Sequence, residues 1–592
     1  MCGFTGFTNH IDNSNAVLQE MLNRIKHRGP DAEGTYIDED IALGHRRLSI
    51  IDVSDAGTQP LYSADGNLAL LFNGEIYNYK TIRQTLIEKG YQFATQTDSE
   101  VLIYGYQEYG TALLQKLRGM FSFVIWNKKE KTLFGARDFF GIKPLYYAQM
   151  GETFLFGSEI KSFLPHPHFK KVLNTAALEN YLTFQYSPCT ETFFKGVYKL
   201  PPAHYFIYKN GKLDIQQYWE IEFHADEKPS LDDWVNQISD TFHNSVEAHK
   251  IADVEVGSFL SSGVDSSYVA AIADVDKTFT VGFGKEERYN EIGWAKGFSE
   301  AIGKKNYSKV IEPEEYWAHL PMIQYHMDEP LADPAAVALY FVCNLASQSL
   351  KVVLSGEGAD EIFGGYPWFH KKECFQAHTF PWTMDLNARK VLLSPEFLSE
   401  LSMDDYVQNR YEASISQVPK LENEGPEDAR RREISYLNLE WFMQTLLDRM
   451  NRTSEACGLS ARVPFADRRI IEYLWNVPWE MKAKNGIVKS LLRQAGVGKL
   501  PDEVLFRRKS PYPKTYDKSY ETLLVRRIHE ILADPSSPIL QFLDKKKTLA
   551  FLSSPADYGK PWYGQLMAAP QMMAYLIQID FWLRTYQPDI RF

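Results

Sequence analysis

The stretch FLSSGVDSS at residues 259–267 decides the fold of the second half of the chain. It follows the apolar run VEVGSFL (254–260) and leads into SSYVAAIAD (266–274), so it predicts a buried strand, a small-residue loop and a helix. Strands that alternate with helices in this way are typical of a parallel α/β sheet. Two later runs, FTVGF (279–283) and KVVL (351–354), predict further buried strands of that sheet.

Before about residue 220 the chain has a different pattern, in which short apolar runs alternate with turns. LALLF (68–72) is followed by Asn73-Gly74, and FSFVIW (121–126) is followed by the charged segment NKKEK. Asn-Gly between apolar runs is a strong hairpin signal, so Asn73-Gly74 is predicted to form a turn. This half of the chain is therefore predicted to be mostly antiparallel sheet.

Length and composition predict a globular protein with more than one domain. The chain has 592 residues, of which 44% are apolar, enough to bury large cores. HADEKPSLDD (224–233) is polar and contains a proline, which is typical of a linker. We therefore predict one domain at 1–218, a linker at 219–230 and a second domain at 231–592, with long amphipathic helices dominating from about residue 396.

Charge and cysteine usage exclude several classes of protein. A net charge of −12 argues against nucleic acid as a main partner, because phosphate binding needs a basic face. Five cysteines without a C-x-x-C pair indicate neither a disulfide framework nor a zinc site, so a cytoplasmic location is expected. No signal peptide is visible, and no membrane partner is expected. The apolar stretch at 566–583 contains a proline, two glutamines and an aspartate, which predicts a buried helix rather than a membrane span.

The loop at 259–267 has the chemistry of a phosphate site. Backbone N–H groups at a helix start attract anions, and Ser261, Ser262 and Ser266 add hydroxyl donors. Gly263 allows close approach of the backbone to a phosphate. Asp265 is acidic where phosphates would bind, which is understandable if a divalent cation such as Mg²⁺ lies between them. The alternative is a serine-rich turn before a helix.

A second loop of the same kind, KVVLSGEGADEIFGGY (351–366), strengthens the interpretation. It offers the carboxylates of Glu357 and Asp360, and ligands bind at the carboxyl ends of strands in such sheets. Asp265 and Asp360 could then share Mg²⁺ on a nucleoside triphosphate. The alternative is that both are helix caps.

These loops resemble those of a known family. Ser-Gly-Gly-x-Asp-Ser is the pyrophosphate loop of the ATP-pyrophosphatases, and this chain matches it from Ser261 to Ser266 except for serine at position 262. SGEGADE (355–361) and GLSARVPFAD (458–467) narrow the resemblance to the asparagine synthetase family. The resemblance implies that GLSARVPFAD lies beside the acceptor carboxylate, and we expect LADPAA (331–336) near the same pocket.

The resemblance implies a set of roles in the second domain. Asp265 and Asp360 would bind Mg²⁺, and Glu357 and Lys489 would be catalytic, with Lys489 neutralising the transferring phosphates. Without the resemblance, Lys489 would be interpreted as a lysine on a surface helix. The residues implied to bind ATP are Phe259, Ser261, Ser262, Gly263, Asp265, Ser266, Val281, Ser355 and Gly356.

The N-terminus MCGFTGF suggests a second chemistry. Removal of Met1 would give Cys2 both a thiol and a free α-amine, which is a nucleophile with its own base. Such an amine titrates at about 7.7–8.0, close to working pH. The alternative is that the cysteine has no role.

Four further stretches resemble the N-terminal-nucleophile glutamine amidotransferases: HRGPD (27–31), GHRRLSIID (44–52), LFNGEIYN (71–78) and ARDFFGIKPLYY (136–147). The resemblance implies an αββα domain. Within it, Cys2 would attack glutamine, Asn73 and Gly74 would form the oxyanion hole, Arg47 would bind the α-carboxylate, and Glu75 and Asp98 would bind the ammonium.

The combined prediction is a two-domain α/β enzyme that makes asparagine from aspartate with glutamine and ATP. It would pass through β-aspartyl-AMP, transfer ammonia internally and release AMP and pyrophosphate. The same chemistry on another carboxylate, such as a cell-wall precursor, is the main alternative. A non-catalytic scaffold and a plain glutaminase are less consistent with Cys2, Asp265 and Asp360 being present together. The expected partners are small-molecule substrates, and a homodimer is left open.

Overall fold

The computed structural model of the chain describes residues 2–184, 190–222, 230–283, 291–330, 335–384, 386–419, 424–507, 518–553 and 569–591. Most of the predicted linker, residues 331–334 of LADPAA and the first three residues of the apolar stretch at 566–583 lie outside these ranges. The domain boundaries stay a prediction, although the last strand of the first half ends at Gln217 and the next helix starts at Leu231.

The first half contains two antiparallel sheets. Its described strands are β1 (Gly3–Thr8), β2 (Ala32–Ile37), β3 (Ile41–Arg47), β4 (Leu61–Tyr62), β5 (Leu68–Ile76), β6 (Gly119–Asn127), β7 (Thr132–Arg137), β8 (Tyr146–Met150), β9 (Thr153–Gly157), β10 (Val197–Lys199), β11 (His204–Lys209) and β12 (Lys212–Gln217). They form two six-stranded sheets in the orders β10-β8-β9-β1-β3-β2 and β12-β11-β7-β6-β5-β4. The described helices are α1 (Ser14–Arg24), α2 (Tyr79–Glu88), α3 (Glu100–Tyr109), α4 (Leu113–Lys116) and α5 (Thr175–Phe184).

Alternation along β5 explains why the sheets stack between helices. Ala69 and Leu71 point into the core between the two sheets, which also contains Phe4 of β1. Leu70 and Phe72 point the other way, into the core that contains residues of α2 and α3. Because side chains alternate across a strand, one apolar run supplies both layers. The predicted αββα arrangement is therefore confirmed.

The predicted turn at Asn73-Gly74 is wrong. Strand β5 continues through both residues, with Asn73 opposite Ser122 and Gly74 opposite Phe121. Gly74 has φ +154°, and a Cβ there would lie 2.1 Å from the carbonyl oxygen of Met120. The glycine therefore permits close approach of two strands, and Asn73 lacks the positive φ that a type I′ turn would require.

The second half contains a parallel sheet, as predicted. Its described strands are β13 (Val256–Phe259), β14 (Lys277–Phe283), β15 (Lys305–Ile311), β16 (Val352–Leu354) and β17 (Ser460–Arg462). They lie in the order β15-β14-β13-β16-β17, and every neighbouring pair is parallel. Strands β14 and β15 lie on one side of β13, and β16 and β17 lie on its other side. The boundary between β13 and β16 is therefore the topological switch point.

Helices surround this sheet and dominate after it. They are α6 (Leu231–His249), α7 (Val264–Ala273), α8 (Glu291–Ala301), α9 (Pro313–Met327), α10 (Ala335–Ser347), α11 (Ala359–Phe363), α12 (Lys372–Gln376), α13 (Asn387–Lys390), α14 (Pro395–Ser399), α15 (Met403–Ser416), α16 (Pro426–Leu437), α17 (Gln444–Glu455), α18 (Arg468–Trp475), α19 (Trp479–Lys482), α20 (Ser490–Ala495), α21 (Asp502–Leu505), α22 (Lys518–Ala533), α23 (Lys545–Leu552) and α24 (Ala569–Tyr586). A π-helical segment, Asn438–Met443, joins α16 to α17.

The two halves share a hydrophobic core. Leu18 and Leu22 of α1 belong to the same buried cluster as Ile528 of α22 and Trp582 of α24. The predicted burial of the apolar stretch near the end is confirmed for its described part, which lies in α24. Among the described helices, none is both long enough and apolar enough to cross a bilayer.

Two candidate active sites

Cys2 directly precedes β1 and is half-buried against the loop that follows β3. Its thiol donates to the carbonyl oxygen of Leu48 over 3.9 Å. Burial raises the pKa of the Cys2 thiol above its ordinary value. At neutral pH the group is therefore a neutral thiol, and a base is needed to make it nucleophilic.

Arg28 and Asn73 hold the carbonyl of Cys2. Arg28 Nε donates to Cys2 O over 3.2 Å. With the amide of Asn73 oriented so that both of its polar atoms are satisfied, its nitrogen donates to the same oxygen over 2.9 Å and its oxygen accepts from Arg28 over 3.2 Å. Arg28 and Asn73 are both fully buried. Arg28 lies in the HRGPD motif, from which no role for this arginine was predicted.

Glu75, two residues after Asn73 in β5, and Asp98 are two buried carboxylates that lie close together. Burial would raise the pKa of Glu75, but the charges of Arg462 and Lys143 outweigh it and lower that pKa. For Asp98, burial raises the pKa to about 7, although the backbone N–H of Ile76 donates to it over 2.8 Å. Within the described part of the chain, Glu75 Oε2 has no hydrogen-bond partner, so it can receive a donor from a ligand.

Arg47, at the end of β3, is fixed by backbone carbonyls. It donates to Ser54 O and Asp52 O, and over 3.4 Å to Ile51 O. A Cβ on Gly57 would lie 2.1 Å from Nη2 of Arg47, so only glycine leaves room for the guanidinium there. The arginine is therefore held in one orientation by the loop that covers it.

The second candidate site lies at the switch point between β13 and β16. Ser258 is opposite Leu354 in the sheet, so the loops that follow the two strands emerge side by side. A Cβ on Gly356 would lie 2.8 Å from the backbone nitrogen of Ser266, at the start of α7. The two predicted phosphate loops are thus in direct contact, as strand order requires.

Serine hydroxyls shape the first of these loops. Ser261 N donates to Ser266 Oγ over 3.0 Å, and Gly263 N donates to Ser261 Oγ over 3.2 Å. Ser262 departs from the resembled motif and donates to Glu291 over 3.1 Å. These bonds fold the loop into a compact turn at the N-terminus of α7.

Lys489 brings the two predicted metal ligands together. Its Nζ lies 2.7 Å from Asp265 Oδ2 and 2.5 Å from Asp360 Oδ1. Only 3% of Lys489 is exposed, so the interpretation as a surface lysine is wrong. The helix-cap alternative is also wrong, since the caps of α7 and α11 are Gly263 and Gly358.

The donor set at this point fits Mg²⁺. Asp265 and Asp360 converge on one position, and both offer the hard oxygen atoms that Mg²⁺ prefers. Magnesium in nucleotide sites is commonly bound by one or two carboxylates together with phosphate oxygens. The described residues form no cluster of three or more acidic, histidine or cysteine ligands, so phosphate oxygens and water would complete the coordination.

The remaining predicted residues lie around the same edge of the sheet. Phe259 ends β13, Val281 lies in the adjacent strand β14, and Ser355 follows β16. Ser355 N donates to the carbonyl oxygen of Arg462 in β17 over 2.8 Å. Glu357 accepts from Arg449 of α17 over 2.8 Å, a partner that no sequence motif indicated.

Two residues of the GLSARVPFAD stretch contact the first site, and the predicted place of the stretch beside the acceptor stays a prediction. Arg462 and Ser460 both donate to Glu75 Oε1, each over 3.2 Å. These contacts could not be predicted from local sequence because they join residues almost four hundred positions apart.

The fold and the two sites define a glutamine amidotransferase domain joined to an ATP-dependent synthetase domain. Sequence comparison agrees: the family pattern described as "Asparagine synthase" matches residues 237–584, and the "Glutamine amidotransferase domain" pattern matches residues 1–219. The chain belongs to the asparagine synthase family, so the predicted family and enzyme class are confirmed.

Similar proteins match over nearly the whole chain. Asparagine synthetase (glutamine-hydrolyzing) 3 of Bacillus subtilis (strain 168) is 36% identical over 100% of both chains. Asparagine synthetase (glutamine-hydrolyzing) 1 of the same organism is 38% identical over 87% of each chain. A protein of Gibberella zeae named Amidase chry2 is 28% identical over 93% of this chain and 94% of its own.

Proposed function

We propose that the chain is a glutamine-hydrolysing asparagine synthetase. It converts ATP, L-aspartate, L-glutamine and water into AMP, pyrophosphate, L-asparagine and L-glutamate. The proposal rests on one observation: the same chain contains Cys2, whose carbonyl oxygen is held by Arg28, and two carboxylates that both contact Lys489. The first suits amide hydrolysis and the second suits chemistry on a nucleotide.

In the glutaminase site, Cys2 is the proposed nucleophile after removal of Met1. Its α-amine takes the thiol proton, the sulfur attacks the side-chain carbonyl of glutamine, and the proton leaves with ammonia. Water then hydrolyses the thioester to glutamate. Burial that raises the thiol pKa makes this base necessary. Asn73 and Gly74 are proposed to stabilise the oxyanion, and Arg47, Glu75 and Asp98 to bind the α-groups of glutamine.

In the synthetase site, a carboxylate oxygen of the acceptor attacks the α-phosphorus of ATP and pyrophosphate leaves. Ammonia then attacks the acyl carbon of the adenylate, and AMP leaves with the bond electrons. Lys489 is proposed to neutralise the phosphates, and Glu357 to take a proton from the adding ammonia. Ammonia is proposed to pass inside the protein, since protonation in water would remove its lone pair.

Asp265 and Asp360 are the proposed ligands of Mg²⁺, which would add positive charge where pyrophosphate departs. Phe259, Ser261, Ser262, Gly263, Ser266, Val281, Ser355 and Gly356 are the proposed ATP-binding residues. Their support is position, since all lie in β13, in β14, in the first turn of α7 or in the loops at the switch point.

L-aspartate is the proposed acceptor. The two relatives from Bacillus subtilis, which carry asparagine synthetase names, support it. The fungal relative bears a different name, so membership of the family does not by itself identify the carboxylate. A different acceptor, such as a cell-wall precursor, would use the same two sites.

The test is turnover of labelled ATP with glutamine and a panel of carboxylates. AMP, pyrophosphate and asparagine are expected with aspartate. Formation of ADP and phosphate would contradict the adenylate mechanism. Activity on another carboxylate with none on aspartate would contradict the acceptor while leaving the mechanism intact.

A further inference from the structure

Helix α17 contacts both candidate sites. Arg449 donates to Glu357 in the second phosphate loop over 2.8 Å. Glu455, the last residue of the helix, lies 3.1 Å from Arg28 in the glutaminase domain. These two residues are less than two helical turns apart, so a rigid segment about 9 Å long joins the sites.

Arg28 supports the carbonyl of the proposed nucleophile. It donates to Cys2 O and to the amide oxygen of Asn73, both over 3.2 Å. Its other partners are two carboxylates, Glu159 at 2.7 Å and Glu455 at 3.1 Å. Glu159 belongs to the glutaminase half, whereas Glu455 comes from the synthetase half.

The position of Glu455 would be unfavourable without a cationic partner. Its side chain is fully buried, and it is the last residue of α17, where the helix dipole disfavours an anion. Buried charges persist when they are paired, and Lys143, also fully buried, lies 3.6 Å away. Asn451 orients the carboxylate by donating to its Oε1 over 3.0 Å.

We propose that Glu455 is a positioning residue of the glutaminase site, through which the synthetase domain holds Arg28 against Cys2 and Asn73. The inference rests on the proposed role of Cys2. It means that the glutaminase site is completed by a side chain of the other domain.

The expected kinetic effect follows from what Arg28 contacts. Cys2 and Asn73 act on the reacting amide, so loosening Arg28 lowers kcat for glutamine hydrolysis. Arg47, Glu75 and Asp98, which are proposed to bind the α-groups of glutamine, have no described hydrogen bond or ion pair with Glu455, so KM changes little. Removal of a group that donates directly to the oxyanion lowers kcat by about 10²–10³-fold. Removal of the Glu455 charge, which acts only through Arg28, should therefore lower kcat about tenfold.

The experiment compares Glu455→Gln, which keeps the shape and removes the charge, with wild type. Asn451→Ala is a milder second variant that leaves the charge but removes its orienting bond. Asp580→Asn is the matched control, because Asp580 is a buried carboxylate paired with Arg584 in α24 and contacts neither site. Glutamine kcat and KM, ammonia-driven synthesis and the melting temperature are measured for each.

Support requires that Glu455→Gln lower glutamine kcat about tenfold at nearly constant KM, while ammonia-driven synthesis stays within about twofold. Asn451→Ala should show a smaller change in the same direction, and Asp580→Asn should show none. Unchanged glutamine kcat in Glu455→Gln would overturn the inference and leave the proposed function standing. A parallel loss of both activities would also overturn it, because a general structural role would then suffice.

Should Glu455→Gln fail to fold, wild-type kcat in Asn451→Ala would decide against the inference. Absence of glutaminase in wild type would refute the proposed role of Cys2 itself.

Discussion

Arg462 Nη2 lies 3.2 Å from Oε1 of Glu75, and this ion pair joins the two halves of the chain. Both residues are buried, so the pair is only weakly screened. The carbonyl oxygen of Arg462 accepts from Ser355, at the start of the second phosphate loop. A single residue of β17 therefore contacts a proposed glutamine-binding carboxylate and a proposed ATP-binding loop.

Glu75→Gln should weaken glutamine binding. It removes the charge that faces both Arg462 and the proposed substrate ammonium. A charge-assisted hydrogen bond contributes about 1.5–3 kcal/mol, so KM for glutamine should rise about 10-fold or more. The melting temperature should fall because Arg462 loses its described charge partner. Steady-state kinetics and thermal unfolding measure the two effects. Glu88→Gln, at an exposed position on α2, is the control, and an unchanged KM in Glu75→Gln would exclude the ammonium-binding role.

Cys2→Ala should separate the two reactions. Glutamine hydrolysis and glutamine-driven synthesis should both disappear, since the thioester cannot form. Synthesis from added ammonium should persist and increase with pH, because free ammonia is the nucleophile. Assays with each nitrogen source measure this, and Cys343→Ala, which removes a buried thiol of α10, is the control.

An extension of the N-terminus by a residue that cannot be trimmed is the sharper form of this test. It keeps the thiol of Cys2 but converts the α-amine to an amide. Glutaminase activity should then be lost. Full activity in the extended protein would mean that the α-amine is not the base.

Glutamine affinity should depend on the ionisation of Asp98. Burial raises the pKa of Asp98 to about 7, so below that pH the empty site carries a neutral acid that attracts ammonium poorly. Between pH 8 and pH 6 its ionised fraction falls about tenfold, and the Kd for glutamine should rise similarly. Calorimetric titration in the Cys2→Ala background avoids turnover. Asp98→Asn should bind weakly at both values, and a wild-type-like pH slope in that variant would assign the effect to another group.

The raised pKa of Asp98 also affects folding. Since the folded-state pKa lies above the ordinary value for an aspartate, this residue stabilises the fold below about pH 4. That contribution is lost as pH rises through about 7. The difference in unfolding free energy between Asp98→Asn and wild type should therefore shift in favour of the variant from pH 5 to pH 8, as denaturant titrations can measure.

Gly365→Ala should disable synthesis selectively. A Cβ at position 365 would lie 1.9 Å from Asp360 Oδ1 and 2.4 Å from Lys489 Cε, so the carboxylate and lysine must separate. Synthesis from ammonia should fall at least tenfold, whereas glutamine hydrolysis should persist. Gly297→Ala is the matched control, because nothing lies within 4 Å of a Cβ there and the exposed site in α8 favours alanine. Normal synthesis by Gly365→Ala would mean that the Asp360–Lys489 contact is dispensable.

Asp265→Asn and Asp360→Asn should each depress synthesis with either nitrogen source. Each removes one of the two carboxylates proposed to hold Mg²⁺. A chelator of divalent cations should have the same selective effect on wild type, and added Mg²⁺ should reverse it. Glutaminase assays in the same samples are the control, and synthesis that survives chelation would exclude the metal.

Several features followed from local sequence. The strand, loop and helix at 254–274 were predictable because burial and chain reversal depend on neighbouring residues. The Asn73-Gly74 turn was not, because the same dipeptide suits a hairpin or a close strand contact, and the position of Met120 O decides between them. A local sequence pattern contains no information on the position of that oxygen, since it belongs to a different strand.

The two chemistries could be predicted from local motifs, because Cys2, the SSGVDS loop and the SGEGADE loop each carry their proposed reactive groups within a few residues. How those groups are held depends on contacts that form only in the folded chain. Lys489 joins Asp265 to Asp360, Arg462 joins Glu75 to the synthetase sheet, and Glu455 braces Arg28. Each of these contacts pairs charges, buried or half-buried, from distant parts of the chain. Such pairs form only where folding removes both groups from water together, and linear spacing does not encode which ones will meet.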